Sequence, residues 1–466
     1  MEPLTCSDIA AAVQSRRRSA LEFADEALAR AAAHQEKFRP FIRVTPELAR
    51  DQARRVDERI KAGEKLPLAG VPFAVKDLFH FAGLPTTYGS RVFADAVQTE
   101  TATSIQKLIS AGAVLIGKLN LHECAFGFTG ENPHFGDCRN PWDPARIPGG
   151  SSSGSAVAIA LGICPLTLGS DTGGSIRLPA ALCGVTGLKP TYGRVSRTGG
   201  YPLSWTMDHV GPLARTAAET AIALRVLAGH DASDESSSRR SVPDYPAEIG
   251  ARLRGLKVAV MHQWFFEALD PEVASAVTQA LDTVKSLGAT LVEVHLPHLE
   301  EALGAHRAII FPEASAFHQS YLAGRAPQYG DDIRPLLLGG QFLPAVDYLQ
   351  ALRVRRRIRR EWAQVFDGID ALATPTSPIT APNFGAQTAD LPGGPKPLVR
   401  AFLDLTLPFN LSGHPALSVP CGFSQAGLPI GLQLVGKPFG ESALLRIAHQ
   451  YQQETAWHKR VPGAQT

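Results

Sequence analysis

The chain has 466 residues, of which 44% are hydrophobic and 19% charged, with a formal net charge of +2. That length and apolar share can bury a large interior, and the low charged fraction excludes a disordered chain. The near-neutral total gives no global mark of a nucleic-acid or membrane-surface binder, and no apolar run reaches the roughly 18 residues that a bilayer span needs.

The N-terminus, MEPLTCSDIAAAVQSRRR, puts acid before base, the wrong order for a secretory signal, so the cytoplasm is the expected compartment. Residues 1–60 read as helices; Ser19 with Glu22 forms a capping box ahead of LEFADEALARAAAHQ. A short apolar run, Val71 to Val75, then leads into Lys76. Thr101 to Ala111 reads as a helix, and Ala113 to Ile116 and Cys164 to Leu168 as strands. The polar stretch 228–250 reads as a linker or surface loop. Beyond it a strand (Lys257 to Met261), a helix (Pro271 to Leu287) and a strand (Thr290 to Val294) repeat the β-α-β rhythm. Ala416 to Val419 and Ile430 to Val435 read as strands and Leu444 to Gln453 as a closing helix, whereas Pro375 to Pro397 carries no pattern. Short apolar runs alternating with helices indicate an α/β core with buried strands. The six cysteines, Cys6, Cys124, Cys138, Cys164, Cys183 and Cys421, form no C-x-x-C pair, so reduced thiols and no metal site are expected.

Residues 148–190 carry the chemistry. Two Gly/Ser loops, Gly149 to Ser155 and Gly169 to Ser175, each adjoin an apolar run. Thr172, Gly173 and Gly174 immediately precede Ser175, and their backbone N–H groups can converge in a tight turn to hold an oxyanion beside a nucleophilic hydroxyl. A serine needs a base, yet neither loop contains histidine. Lys76 can serve, because burial at the end of an apolar strand disfavours its ammonium form. Taken singly, each feature has a plainer explanation: the loops turn the chain, and Lys76 pairs with Asp77. Gly150 to Gly154 also fits the G-x-S-x-G elbow, but proline-rich NPWDPARIP stands where a strand should precede it.

AGVPFAVKDLF and NPWDPARIPGGSSSGSAVAIALGICPLTLGSDTGGSIRLPAALCGVTGLKPT together resemble the amidase signature family, over nearly the whole chain and most closely from Leu68 to Pro190. The resemblance implies one domain over 1–466, a signature core over 68–190, and an α/β fold with a mixed central β-sheet flanked by α-helices. It implies a triad of Lys76, Ser151 on a cis peptide bond, and Ser175, with Thr172, Gly173, Gly174 and Ser175 supplying the oxyanion hole. Ser153 stands where the family commonly has glycine. Ala125 to Gly130 would line the acyl pocket, with Ala125, Phe126, Thr129 and Gly130 as substrate-binding residues. Trp205 and the segment Phe311 to Tyr348 would close the other side. Asp171 and Arg177 flank the nucleophile as a structural ion pair, and Arg177 is a candidate for binding a substrate carboxylate.

The expected activity is hydrolysis of a small-molecule carboxamide by a free-standing amidase without cofactor, nucleic-acid partner or membrane, as a possible homodimer. Two alternatives stand beside it: the glutaminase subunit of a tRNA-dependent amidotransferase, and a carboxybiuret- or allophanate-type hydrolase. The basic run Arg353 to Arg360 lies on an expected helix and reads as a solvated face or an RNA- or protein-binding patch.

Overall fold

A computed structural model describes residues 5–296 and 298–463. The strands in chain order are β1 (Phe41–Val44), β2 (Pro72–Lys76), β3 (Val114–Leu119), β4 (Leu166–Asp171), β5 (Thr186–Lys189), β6 (His209–Ala214), β7 (Lys257–Val260), β8 (Thr290–Glu293), β9 (Ala371–Pro375), β10 (Thr388–Leu391), β11 (Gly394–Pro397), β12 (Ala416–Phe423) and β13 (Pro429–Gly436). Among the described residues, 11 of them form one sheet in the order β1-β3-β2-β4-β6-β5-β12-β13-β9-β7-β8. The sheet is mixed. β3, β2 and β4 run parallel at one end and β9, β7 and β8 at the other, with antiparallel pairs between them. Helices flank it, as expected of an α/β fold.

Burial explains why the inner strands are mostly apolar: every residue of β2, β3, β4 and β6 is buried, the polar ones falling mainly at the strand ends that face the site. The helix Ala20–Phe38 starts at the expected Ser19–Glu22 capping box. β1 breaks the otherwise helical N-terminal region; it is a four-residue edge strand pairing antiparallel with β3, too short for periodicity to reveal. The unpatterned stretch before Pro397 contains the hairpin β10–β11, a two-stranded sheet of its own. The polar stretch 228–250 includes a helical turn, Tyr245–Glu248, whose Tyr245 is fully buried. No helix among the described residues is long and apolar enough to cross a membrane.

The sheet's parallel end positions the chemistry. β2, β3 and β4 terminate together, and ligands of α/β sheets gather at the carboxyl ends of such strands. Lys76 closes β2, Asp171 closes β4, and the loops carrying Ser151 and Ser175 each run directly into a helix, Ser153–Ala160 and Arg177–Cys183.

Candidate active site

Lys76 is fully buried, and its Nζ donates to Ser151 Oγ at 2.7 Å and to Ser170 Oγ at 2.9 Å. Burial pulls its pKa down from the ordinary lysine value to about 7, against the opposing pull of the Asp171 and Asp208 carboxylates. An amine in that range is substantially uncharged at neutral pH and can accept a proton. Ser151 follows the cis Gly150–Ser151 peptide bond. Ser152 N donates to the Ser175 carbonyl at 3.1 Å, tying the two serine loops together. Lys76 and Ser151 are therefore in direct contact, and the Ser175 backbone is tied to the neighbouring Ser152.

The Ser175 turn is held from within by Asp171. The amides of Gly174 and Ile176 donate to its carboxylate at 2.8 and 3.1 Å. Gly174 has φ +138°, and a Cβ there would lie 2.5 Å from Thr406 Oγ1, so both conformation and space demand glycine. Its N–H is spent on Asp171, which removes it from the expected oxyanion donors. Thr172, Gly173 and Ser175 line the adjoining cavity.

Arg177 does not reach for a substrate carboxylate. All its guanidinium N–H groups are engaged, with Asp171 at 3.0 Å twice, Thr406 O at 2.9 Å, Gln433 Oε1 at 2.7 Å and Asn410 Oδ1 at 2.7 Å. Although burial opposes it, this pairing holds the Asp171 carboxyl well below the usual carboxylate range. Arg177→Met would strand a buried charge. A loss of about 3–5 kcal/mol is expected in the denaturant-unfolding free energy; a loss under about 1 kcal/mol would mean that the pair contributes no more than a surface ion pair does.

Ser175 opens onto a cavity of about 660 Å³. Ala125, Phe126 and Thr129 line it as expected. Gly130 does not: a Cβ there would meet Ser153 Cβ at 2.9 Å, so this glycine lets the chain pack behind the serine loop. Phe311 and Leu336 close the far wall, whereas Trp205 faces a separate cavity of about 280 Å³ that also touches Ser170 and Asp208. Leu178, Ile310, Leu398 and Leu403 add apolar surface, and Glu131, Arg307 and Asp332 bring charge to the wall. His122 Nε2 meets Asp332 Oδ2 at 2.8 Å, and its Nδ1 meets Thr129 Oγ1 at 3.2 Å. Arg307 and His306 lie far along the chain from the signature loops and no local motif marks them; Ser170 falls inside the Gly169 to Ser175 loop and Asp332 inside the Phe311 to Tyr348 segment, but no motif singles either one out.

The basic run lies on the helix Ala345–Asp367 and is only partly a solvated face. Arg355 is buried and donates to the carbonyls of Leu411 and Thr206 at 2.8 and 2.6 Å, while Arg357 pairs with Glu301 at 2.5 Å. Among the described residues no cluster of His, Cys, Asp and Glu is arranged to hold a metal ion.

A family model described as Amidase matches residues 22–445. The chain is 43% identical to the A subunit of the Chloroflexus aggregans glutamyl-tRNA(Gln) amidotransferase, across 98% of each chain, and 40% identical to its Geobacter metallireducens counterpart, across 99% of each. Among solved structures it superposes on a chain from a vestigial protein complex that reveals the evolutionary origins of an s-triazine catabolic enzyme (TM-score 0.92, 38% identity, 97% of this chain and 98% of that one). It also superposes on the A subunit of the Thermotoga maritima glutamyl-tRNA(Gln) amidotransferase (TM-score 0.81, 33% identity, 95% and 94%). These relatives overturn two expectations. Full-length similarity at this level to one component of an amidotransferase displaces the free-standing amidase acting on a small-molecule amide, and a relative that works on tRNA displaces the absence of a nucleic-acid partner.

Proposed function

This chain belongs to the amidase family, whose members act on carbon–nitrogen bonds, and from that premise we propose that it is the glutaminase subunit of a tRNA-dependent amidotransferase, releasing ammonia from the side-chain amide of glutamine. The observation that carries this reading is the 43% identity, over nearly the full length of both chains, with the corresponding component of that enzyme. The cavity is compatible with it. Its apolar floor of Phe126, Leu178 and Leu403 suits an aliphatic arm, and its wall offers a guanidinium, Arg307, and two carboxylates, Glu131 and Asp332, to a zwitterionic head.

In the proposed reaction, neutral Lys76 takes a proton from Ser151 as Ser151 takes one from Ser175. Ser175 Oγ attacks the amide carbon, and the oxyanion rests on the amides of Thr172, Gly173 and Ser175. Ser151 passes a proton to the departing nitrogen, and ammonia leaves. Water then cleaves the glutamyl ester through the same relay. The working place of such a protein is the compartment that holds charged tRNA, the cytoplasm.

The test is glutamate release from glutamine by the purified chain, with and without the other subunits of its source organism's amidotransferase and glutamyl-tRNA(Gln). Turnover stimulated by those additions supports the proposal; no glutamine turnover under any of these conditions contradicts it. Arg307→Ala is expected to raise KM for glutamine about tenfold with kcat largely kept, the signature of a lost ground-state charge contact. An unchanged KM removes Arg307 from substrate binding.

One observation favours a second reading, a carboxybiuret- or allophanate-type hydrolase. The solved chain from the complex that reveals the origins of an s-triazine catabolic enzyme superposes at TM-score 0.92, above the 0.81 of the solved amidotransferase component. Ammonia released from biuret-type compounds, with glutamine inert, would select it.

A further inference from the structure

The nucleophile turn has a second anchor, on the side away from Asp171. Thr172 Oγ1 donates to Asp208 Oδ1 at 2.6 Å. The same carboxylate accepts Leu203 N at 2.9 Å and Ser204 N at 3.0 Å. Thr172 is 2% exposed and Asp208 9%. Asp208 immediately precedes β6, whose first residue, His209, sits opposite Asp171 in the antiparallel ladder with β4. The two carboxylates therefore grip the turn from adjacent strands.

Asp171 is satisfied by a guanidinium; Asp208 forms no ion pair among the described residues, and its acceptor capacity goes to one hydroxyl and two amides. Leaving a carboxylate buried without a cation is costly, so a purely structural site would be served as well by a neutral side chain. Burial pushes the Asp208 carboxyl up to about 6, even though these hydrogen bonds oppose the shift. On its far side the Thr172 carbonyl accepts from His306 Nε2 at 3.1 Å. Thr172 is thus clamped at both its hydroxyl and its carbonyl, while the Gly174 amide is held separately by Asp171.

We propose that Asp208 is a positioning residue: through Thr172 Oγ1 it fixes the turn whose amides meet the oxyanion at Ser175. It acts through another residue and touches no reacting atom. The inference does not depend on which amide is the substrate, and its test can avoid the substrate altogether.

The experiment measures the second-order rate at which a fluorophosphonate labels Ser175, forming the P–O bond as fluoride leaves, alongside the thermal midpoint of each variant. Asp208→Leu, which deletes the acceptor, and Thr172→Val are each expected to slow labelling roughly 10- to 100-fold, the scale of a small misplacement of catalytic groups. The double variant should be no slower than the worse single one, because both remove the Thr172–Asp208 contact. Thr172→Ser, which keeps the hydroxyl, should recover most of the rate lost in Thr172→Val. Wild-type labelling in Asp208→Leu, multiplying effects in the double variant, or equal loss in Thr172→Ser and Thr172→Val would each overturn the proposal. If Asp208→Leu does not fold, the Thr172→Ser and Thr172→Val pair decides alone.

Discussion

Ser175→Ala is expected to remove covalent labelling by a fluorophosphonate completely and to lower kcat by on the order of 10⁴-fold or more. In the proposed mechanism alanine deletes the atom that bonds to the acyl carbon, and nothing nearby replaces it. Ser151 is fully buried and receives the Lys76 hydrogen bond, while Ser152 Oγ donates to the Ser170 carbonyl at 3.1 Å. The fold should not suffer. Ser175 is 9% exposed at a cavity wall, and the turn around it is held by Asp171 through the amides of Gly174 and Ile176, not through the Ser175 hydroxyl. An unchanged thermal midpoint with lost activity is the expected pair of results. Retained labelling in Ser175→Ala would move the nucleophile elsewhere.

Lys76→Met carries the second large effect. Methionine keeps much of the lysine stem's volume in a fully buried position but supplies no base, so the proposed proton transfer from Ser151 would stop and kcat should fall by a comparable factor. Groups that act as one unit are not additive, so Lys76→Met combined with Ser175→Ala should be no worse than the single changes. The pH profile gives an independent check. In the proposed mechanism the working form of Lys76 is neutral, and burial lowers its pKa to about 7. Below that value the ammonium form dominates, and kcat/KM should rise about tenfold per pH unit; above it the rate should level off. A profile already flat well below pH 7 would mean that the base titrates lower than an amine in this setting, and that Lys76 is not it.

The strand endings were legible because each is an apolar run stopped by a polar residue: Val71 to Val75 before Lys76, and Cys164 to Leu168 before Ser170 and Asp171. The two Gly/Ser loops were legible because close packing restricts composition there. The weaker signals came from elements whose role depends on distant partners. β1, at four residues, is shorter than any period. The hairpin β10–β11 interposes glycine and proline in short strands outside the main sheet, so nothing in the local pattern marked it, although residues beside it line the cavity. Arg177 is an arginine next to a nucleophile, which sequence alone leaves open to a substrate role; only its Asp171, Thr406, Asn410 and Gln433 partners, the last three more than two hundred residues away in the chain, show that it is committed. Gly174 looked like an oxyanion donor for the same reason, until the Asp171 carboxylate claimed its N–H.

The activity was less legible than the site. The proposed triad lies in the signature segment, but the cavity wall that meets a substrate is spread over residues 122–403 without a motif. Overall charge was uninformative on this point: a net +2 excludes a strongly basic protein, not one that meets tRNA as part of a larger assembly.

The most direct test is to acid-quench the chain during turnover of glutamine, assembled with the other amidotransferase subunits, and to map the trapped acyl group by peptide mass spectrometry. The account predicts a glutamyl ester on the peptide carrying Ser175, absent from Ser175→Ala. Glutamine turnover with the acyl group on a different residue, or with no trapped ester in wild type, would contradict it.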